Sequence, residues 1–169
     1  MTGVQTCALP IYNRGLWSLV IASLLLGLPL ELLPLPATFA DWRAPWLLVV
    51  VAFWGVHLPV VGGIGLAWMS GLLLDAACAT PLGSHALVFT LASALTLAAR
   101  RLLLAFSILQ QALWVALLSM MQQGILLLIA PMGSGAAQPF WQAGLSAALF
   151  WMLLHGLLYH WTQPRIAVD

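Results

Sequence analysis

Charge is what this sequence has least of. The 169 residues include no lysine, five arginines and four acids, so that 5% of the chain is charged and 63% is hydrophobic. A soluble domain carries about 25% charged residues, with which it covers its water-facing surface. The deficit excludes a soluble domain or a soluble enzyme and predicts that lipid covers much of the outside. A net charge of +1 also leaves no basic stripe for nucleic acid.

Motifs for catalysis and for metal binding are missing as well. Cys7 and Cys78 are too few for a disulfide framework, and the chain has no CxxC, HExxH or GxSxG pattern. Four histidines are scattered along the chain: His57, His85, His155 and His160. No catalytic set, metal site or cofactor is therefore predicted. A serine and a histidine that meet in space, as in an intramembrane protease, remain an open alternative.

Long apolar runs are what the sequence does have. A membrane-spanning helix needs about 20 apolar residues. Six segments that approach or reach this length lie between turns and polar loops: about 16–35, 44–58, 60–79, 84–99, 111–130 and 140–159. The sequence therefore predicts an all-α integral membrane protein with about six transmembrane helices.

Two parts of this division are less regular. The apolar stretch 46–79 would be about 51 Å long as one helix, whereas the hydrocarbon core is about 30 Å thick. It must turn back, and Pro59 with the pair Gly62-Gly63 provides the turn. The segment before this turn is short, which leaves a re-entrant hairpin open. Residues 102–110 are predicted to lie along the membrane interface.

The placement of arginine predicts the orientation, because cytoplasmic loops collect basic residues. With the N-terminus inside, only Arg43 falls outside. The other four arginines fall inside: Arg14, Arg100, Arg101 and Arg165. Both termini are therefore predicted to be cytoplasmic.

A single membrane domain is expected at residues 12–165, followed by a short tail at 166–169. Residues 1–11 (MTGVQTCALPI) lack the basic start and the long apolar core of a signal peptide. They resemble a translated sequencing-adapter fragment and are expected to be non-native.

One acid stands out in the third segment. Gly63, Ala67, Gly71 and Asp75 are spaced four apart, so in a helix they form one ridge of small side chains that leads to a carboxylate. Small ridges let helices approach closely. The pattern favours a helix-packing or partner-contact site with a polar lock. A proton or cation site and a solvated interfacial acid are the alternatives.

Other polar groups are candidates for contacts between helices. Gln111 and Gln123 are the amides of the fifth segment that we expect to hydrogen-bond across helices, each for about 1 kcal/mol or less. Glu31, near the end of the first segment, is interpreted as an interfacial acid.

The order of several short motifs resembles a known family. From Arg43 the chain reads R-x-x-W, then Phe53-Trp54, Pro59 and Gly65. It continues with Gly71-Leu72-Leu73-Leu74-Asp75 and then Pro81-Leu82-Gly83. This arrangement is similar to that of the bacterial rod shape-determining protein MreD family. The likeness covers nearly all of residues 14–165, and the glycine-to-aspartate motif with the following Leu-Gly is its most specific part.

The resemblance implies a function that composition and spacing do not. It implies a non-enzymatic subunit of the cell-elongation machinery in the bacterial inner membrane, with a single-pass MreC-like partner. Through that partner it would be linked to MreB filaments and to the synthases that build lateral peptidoglycan. It also implies a fold similar to the substrate-binding subunits of vitamin-uptake transporters, so a small-solute transporter subunit is the alternative function. The turn Val60-Val61-Gly62 departs from the family, whose members often carry a basic residue there.

Overall fold

Helices make up all the regular secondary structure of the described part of the chain. The computed structural model describes residues 14–34, 36, 42–60, 62–129 and 140–166, without the side chains of 14–16 and 158–166. Six α-helices lie in these ranges: α1 (Arg14–Leu32), α2 (Trp46–His57), α3 (Ile64–Cys78), α4 (Ser84–Ala105), α5 (Ile108–Ile129) and α6 (Phe140–Ile166). The predicted all-α class is confirmed. The expected non-native segment 1–11 and most of the tail 166–169 lie outside the described residues.

The six helices differ in their capacity to cross a membrane. Helices α4, α5 and the 140–157 part of α6 are long and apolar enough to do so, and α1, α2 and α3 are shorter. Helix α2 has 12 residues and α3 has 15. These lengths correspond to about 18 Å and about 22 Å, less than the hydrocarbon core of about 30 Å. Together, the spans and the short apolar helices are the architecture of a multi-pass membrane protein.

Helix α2 is the centre of the bundle. It packs against each of the other five helices, and α3 pairs with α4 as α5 does with α6. Its ten residues from Leu47 to Val56 are all buried, which is expected of a helix that is apolar on every side. Trp54 donates a hydrogen bond from Nε1 to Ser23 Oγ in α1 at 2.9 Å. A short helix is thus enclosed by longer ones.

The turn after α2 lies where proline and glycine predict it, between His57 and Ile64. Residues 102–110 do not form a separate segment between two helices. Helix α4 continues through Arg100 and Arg101 to Ala105, because arginine, leucine and alanine are strong helix formers. Helix α5 then begins only three residues later, at Ile108.

The local sequence explains this tight connection between α4 and α5. Gln110 Oε1 accepts hydrogen bonds from the backbone N–H of Ser107 at 3.0 Å and from its hydroxyl at 3.3 Å. The bond from the Ser107 N–H to the Gln110 side chain is one half of a capping box, a pattern that starts a helix. Residues 102–110 thus form the tip of the α4–α5 helical hairpin, and their position along the membrane interface stays a prediction.

Candidate functional site

The predicted ridge on α3 is present in part. Ala67, Gly71 and Asp75 are buried on one face of α3. Gly63 is not part of this helical face, because α3 begins at Ile64 and Gly63 immediately precedes it with an extended backbone. The predicted helix began too early, and the ridge therefore has three members instead of four.

At Gly71 the backbones of α3 and α4 touch. A Cβ atom placed on Gly71 would lie 2.4 Å from the Cα of Ala86 and 2.6 Å from its nitrogen. Both atoms belong to the backbone of α4, so no rotation of a side chain could relieve the overlap. The close packing of the two helices depends on the missing side chain at this position.

One turn further along α3, the carboxylate of Asp75 lies at the N-terminus of α4 and is fully buried. Its Oδ1 accepts hydrogen bonds from the Thr80 hydroxyl at 2.9 Å and from the backbone N–H of His85 at 3.0 Å. Its Oδ2 accepts from the backbone N–H groups of Gly83 at 2.9 Å and Ala86 at 3.3 Å. Every one of these donors lies in the turn between the helices or in the first turn of α4.

The reason for this arrangement is the missing cap on α4 itself. Gly83 is the N-cap residue and has no side chain that could accept a hydrogen bond. Its φ of 102° lies in the left-handed region, which favours glycine. The first amides of a helix need an acceptor, and the positive end of the helix dipole attracts an anion. Asp75, in the preceding helix, supplies the hydrogen-bond acceptor and the carboxylate. The Leu74-Asp75 and Leu82-Gly83 motifs therefore form one structural unit.

His85 extends this unit. Its Nδ1 atom lies 2.8 Å from Asp75 Oδ1, and the side chain is nearly buried. Because Oδ1 is an acceptor, Nδ1 carries the hydrogen in this contact. The contact with the carboxylate therefore fixes the orientation of the imidazole ring.

Side chains from neighbouring helices also cap both ends of the central helix α2. Glu31, in the last turn of α1, accepts a hydrogen bond on Oε2 from the backbone N–H of Leu47 at 3.3 Å. At the other end, Arg100 donates from Nε to the carbonyl oxygen of Val56 at 2.8 Å. The signs suit the helix dipole, with the acid at the N-terminus and the base at the C-terminus.

Neither of these roles follows from the sequence reasoning. The sequence predicts an interfacial acid at Glu31, and it assigns Arg100 only to the cytoplasmic side. One signal was available for Glu31: like Asp75, it is an acid in the last turn of a helix that is followed by another apolar helix. For Arg100, only the fold reveals the partner, because Val56 is 44 residues away.

The two predicted amides have different environments. Gln111 donates from Nε2 to the carbonyl oxygens of Leu103 at 2.8 Å and Phe106 at 3.3 Å, and so ties the start of α5 to the end of α4. Gln123 is half-buried, whereas its neighbour Gln122 is buried. Gln122 lies eleven residues after Gln111, which is close to three full turns and returns to the same helix face.

The described residues contain no group of three or more histidine, cysteine, aspartate or glutamate side chains that could hold a metal ion. Two of the scattered histidines do meet. The rings of His57 in α2 and His155 in α6 are 5.8 Å apart between centroids. Sequence spacing could not predict this pair, because the two residues belong to helices that are far apart in the chain.

A comparison with known protein families finds a match over most of the chain. Residues 13–161 match the model of the family described as rod shape-determining protein MreD. The chain belongs to the MreD family. The resemblance predicted from the order of motifs is therefore confirmed.

A curated member of the MreD family provides a closer comparison. The rod shape-determining protein MreD of Haemophilus influenzae is 31% identical over 74 residues, which cover 44% of this chain and 46% of the relative. The match thus spans about half the length of that relative. No solved structure matches the chain, so the similarity to vitamin-transporter subunits stays a prediction.

Proposed function

We propose that this MreD-family chain is a non-enzymatic subunit of the cell-elongation machinery in the bacterial inner membrane, with both termini in the cytoplasm. It binds a single-pass MreC-like protein and supports rod shape and lateral peptidoglycan synthesis. MreB filaments and cell-wall synthases are its indirect partners. The observation that carries the proposal is the family match over residues 13–161.

The geometry of the acids supports a structural function. Glu31 and Asp75 are the two acids among the described residues, and both accept backbone hydrogen bonds at the start of a neighbouring helix. Transporters typically place such groups near the bilayer midplane beside broken helices. Here the carboxylates lie at helix ends, which favours a scaffold over a small-solute transporter subunit.

Co-purification tests the partner. We expect the full-length chain, extracted in mild detergent, to retain a co-expressed MreC-like protein through affinity purification. Leu73→Ala serves as a matched control and should retain the partner equally well, because Leu73 is exposed and lies on a different side of α3 from the buried Gly71. Tight binding of a vitamin-like solute by the chain alone, without retention of the partner, would favour the transporter alternative.

Labelling with an impermeant thiol reagent tests the orientation. In a chain with Cys7 and Cys78 replaced by serine, single cysteines at Thr38 and Ala136 should react from the periplasmic side. A cysteine at Arg101 should react only after the membrane is permeabilised. The reverse pattern would contradict the orientation that the arginine placement predicts.

A further inference from the structure

Arg101 is a cation without an acidic partner among the described residues. The preceding residue, Arg100, donates to the Val56 carbonyl oxygen and caps α2. Arg101 is exposed, on a different side of α4. It makes no ion pair with a described residue. The two adjacent arginines thus have different environments.

The described acids are too far away to pair with Arg101. Asp75 contacts His85 at the start of α4, and Arg101 follows sixteen residues later, about 24 Å along the helix axis. Glu31 lies at the N-terminus of α2, whereas Arg100 marks the C-terminus of that helix. Arg101 is therefore at the end of the bundle opposite to both acids.

Apolar side chains surround this end of the α4–α5 hairpin. Five of them are between 40% and 69% exposed: Leu102, Leu104, Phe106, Ile108 and Leu109. In a multi-pass membrane protein, lipid covers such side chains. Arg101 lies only four residues, about 6 Å, before the end of α4 at Ala105. A long arginine side chain can extend over that distance to the headgroup region.

We propose that Arg101 binds the phosphate of an anionic phospholipid, whose acyl chains lie against the exposed leucines of α4. The guanidinium is a planar fork that matches two phosphate oxygens. Charge complementarity favours this occupant, because anionic lipids are attracted to basic residues at the membrane surface. The site goes beyond the proposed function, since it requires neither the MreC-like partner nor a particular orientation.

The experiment compares the thermal unfolding of the full-length chain in nanodiscs of phosphatidylcholine with and without phosphatidylglycerol. We expect phosphatidylglycerol to raise the unfolding midpoint of the wild type by about 2–4 °C. Arg101→Gln should lose this gain. Arg101→Lys should keep part of it, because lysine keeps the charge and loses the fork. Native mass spectrometry should show the same order in the number of retained phosphatidylglycerol molecules.

Arg43→Gln is the matched control, because Arg43 binds the Leu33 carbonyl oxygen near the opposite end of the bundle. This variant should keep the full gain from phosphatidylglycerol. An equal gain in wild type and Arg101→Gln would overturn the proposal. A wild type whose unfolding midpoint does not respond to phosphatidylglycerol would also overturn it. If an MreC-like partner then raised that midpoint only when Arg101 is present, the occupant would be an acidic protein group.

Discussion

Asp75→Leu is expected to destabilise the protein by about 3–5 kcal/mol, because several buried donors lose a shared acceptor. The reason is the number of donors left behind. The Thr80 hydroxyl and the backbone N–H groups of Gly83, His85 and Ala86 all donate to this carboxylate. Each buried donor that loses its acceptor costs about 1–3 kcal/mol unless it finds another. The measurement is unfolding of the purified chain, followed by tryptophan fluorescence.

Asp75→Asn separates a structural lock from an ion site. The amide keeps one oxygen acceptor and a similar size, so a capping role predicts a loss intermediate between wild type and Asp75→Leu. A proton or cation site requires the charge, so asparagine would then impair function as severely as leucine. Cell shape in a depletion strain, scored beside the stability of each variant, distinguishes the two. Wild-type stability in Asp75→Leu would contradict the role of Asp75 as the cap of α4.

The sequence predicts the face of α3 more reliably than the partner of that face. Spacing by four residues correctly groups Ala67, Gly71 and Asp75, because helical periodicity is a local property. That Asp75 caps α4 depends on the left-handed backbone of Gly83, which brings the first amides of α4 back toward α3. The geometry of a turn is specified weakly by composition, so this contact becomes visible only in the fold.

The caps of α2 show the same limit over longer distances. Arg100 is assigned by sequence to a membrane surface, since positive charge predicts orientation. In the fold it satisfies the carbonyl of Val56 at the end of a helix that is too short to span the bilayer. A buried helix end must have its polar groups satisfied within the protein. The need to satisfy these groups predicts that a cap exists. It does not identify the distant residue that provides the cap.

Gly71→Leu is expected to disrupt the pairing of α3 with α4 even though leucine is a good helix former. Glycine costs up to about 1 kcal/mol relative to alanine in a helix interior, so propensity alone would make even Gly71→Ala stabilising. The overlap of a Cβ atom with the backbone of Ala86, at 2.4 Å, outweighs this gain because two helices must move apart. Overpacking of this kind costs about 1–3 kcal/mol of stability. Leucine is larger than alanine, so Gly71→Leu should destabilise the protein more than Gly71→Ala.

Leu73→Ala is the control on the same helix. Leu73 is half-exposed on the surface of α3, and lipid chains solvate a leucine as well as another helix does. Its truncation should therefore leave stability within about 0.5 kcal/mol of wild type. The predicted order of damage is Gly71→Leu, then Gly71→Ala, then Leu73→Ala, measured as recovery of the complex with the MreC-like partner and as the unfolding midpoint of the isolated chain. If Gly71→Leu lost the complex with an unchanged unfolding midpoint, Gly71 would face the partner instead of α4. If Gly71→Leu matched wild type in both measurements, the close approach at Ala86 would be refuted.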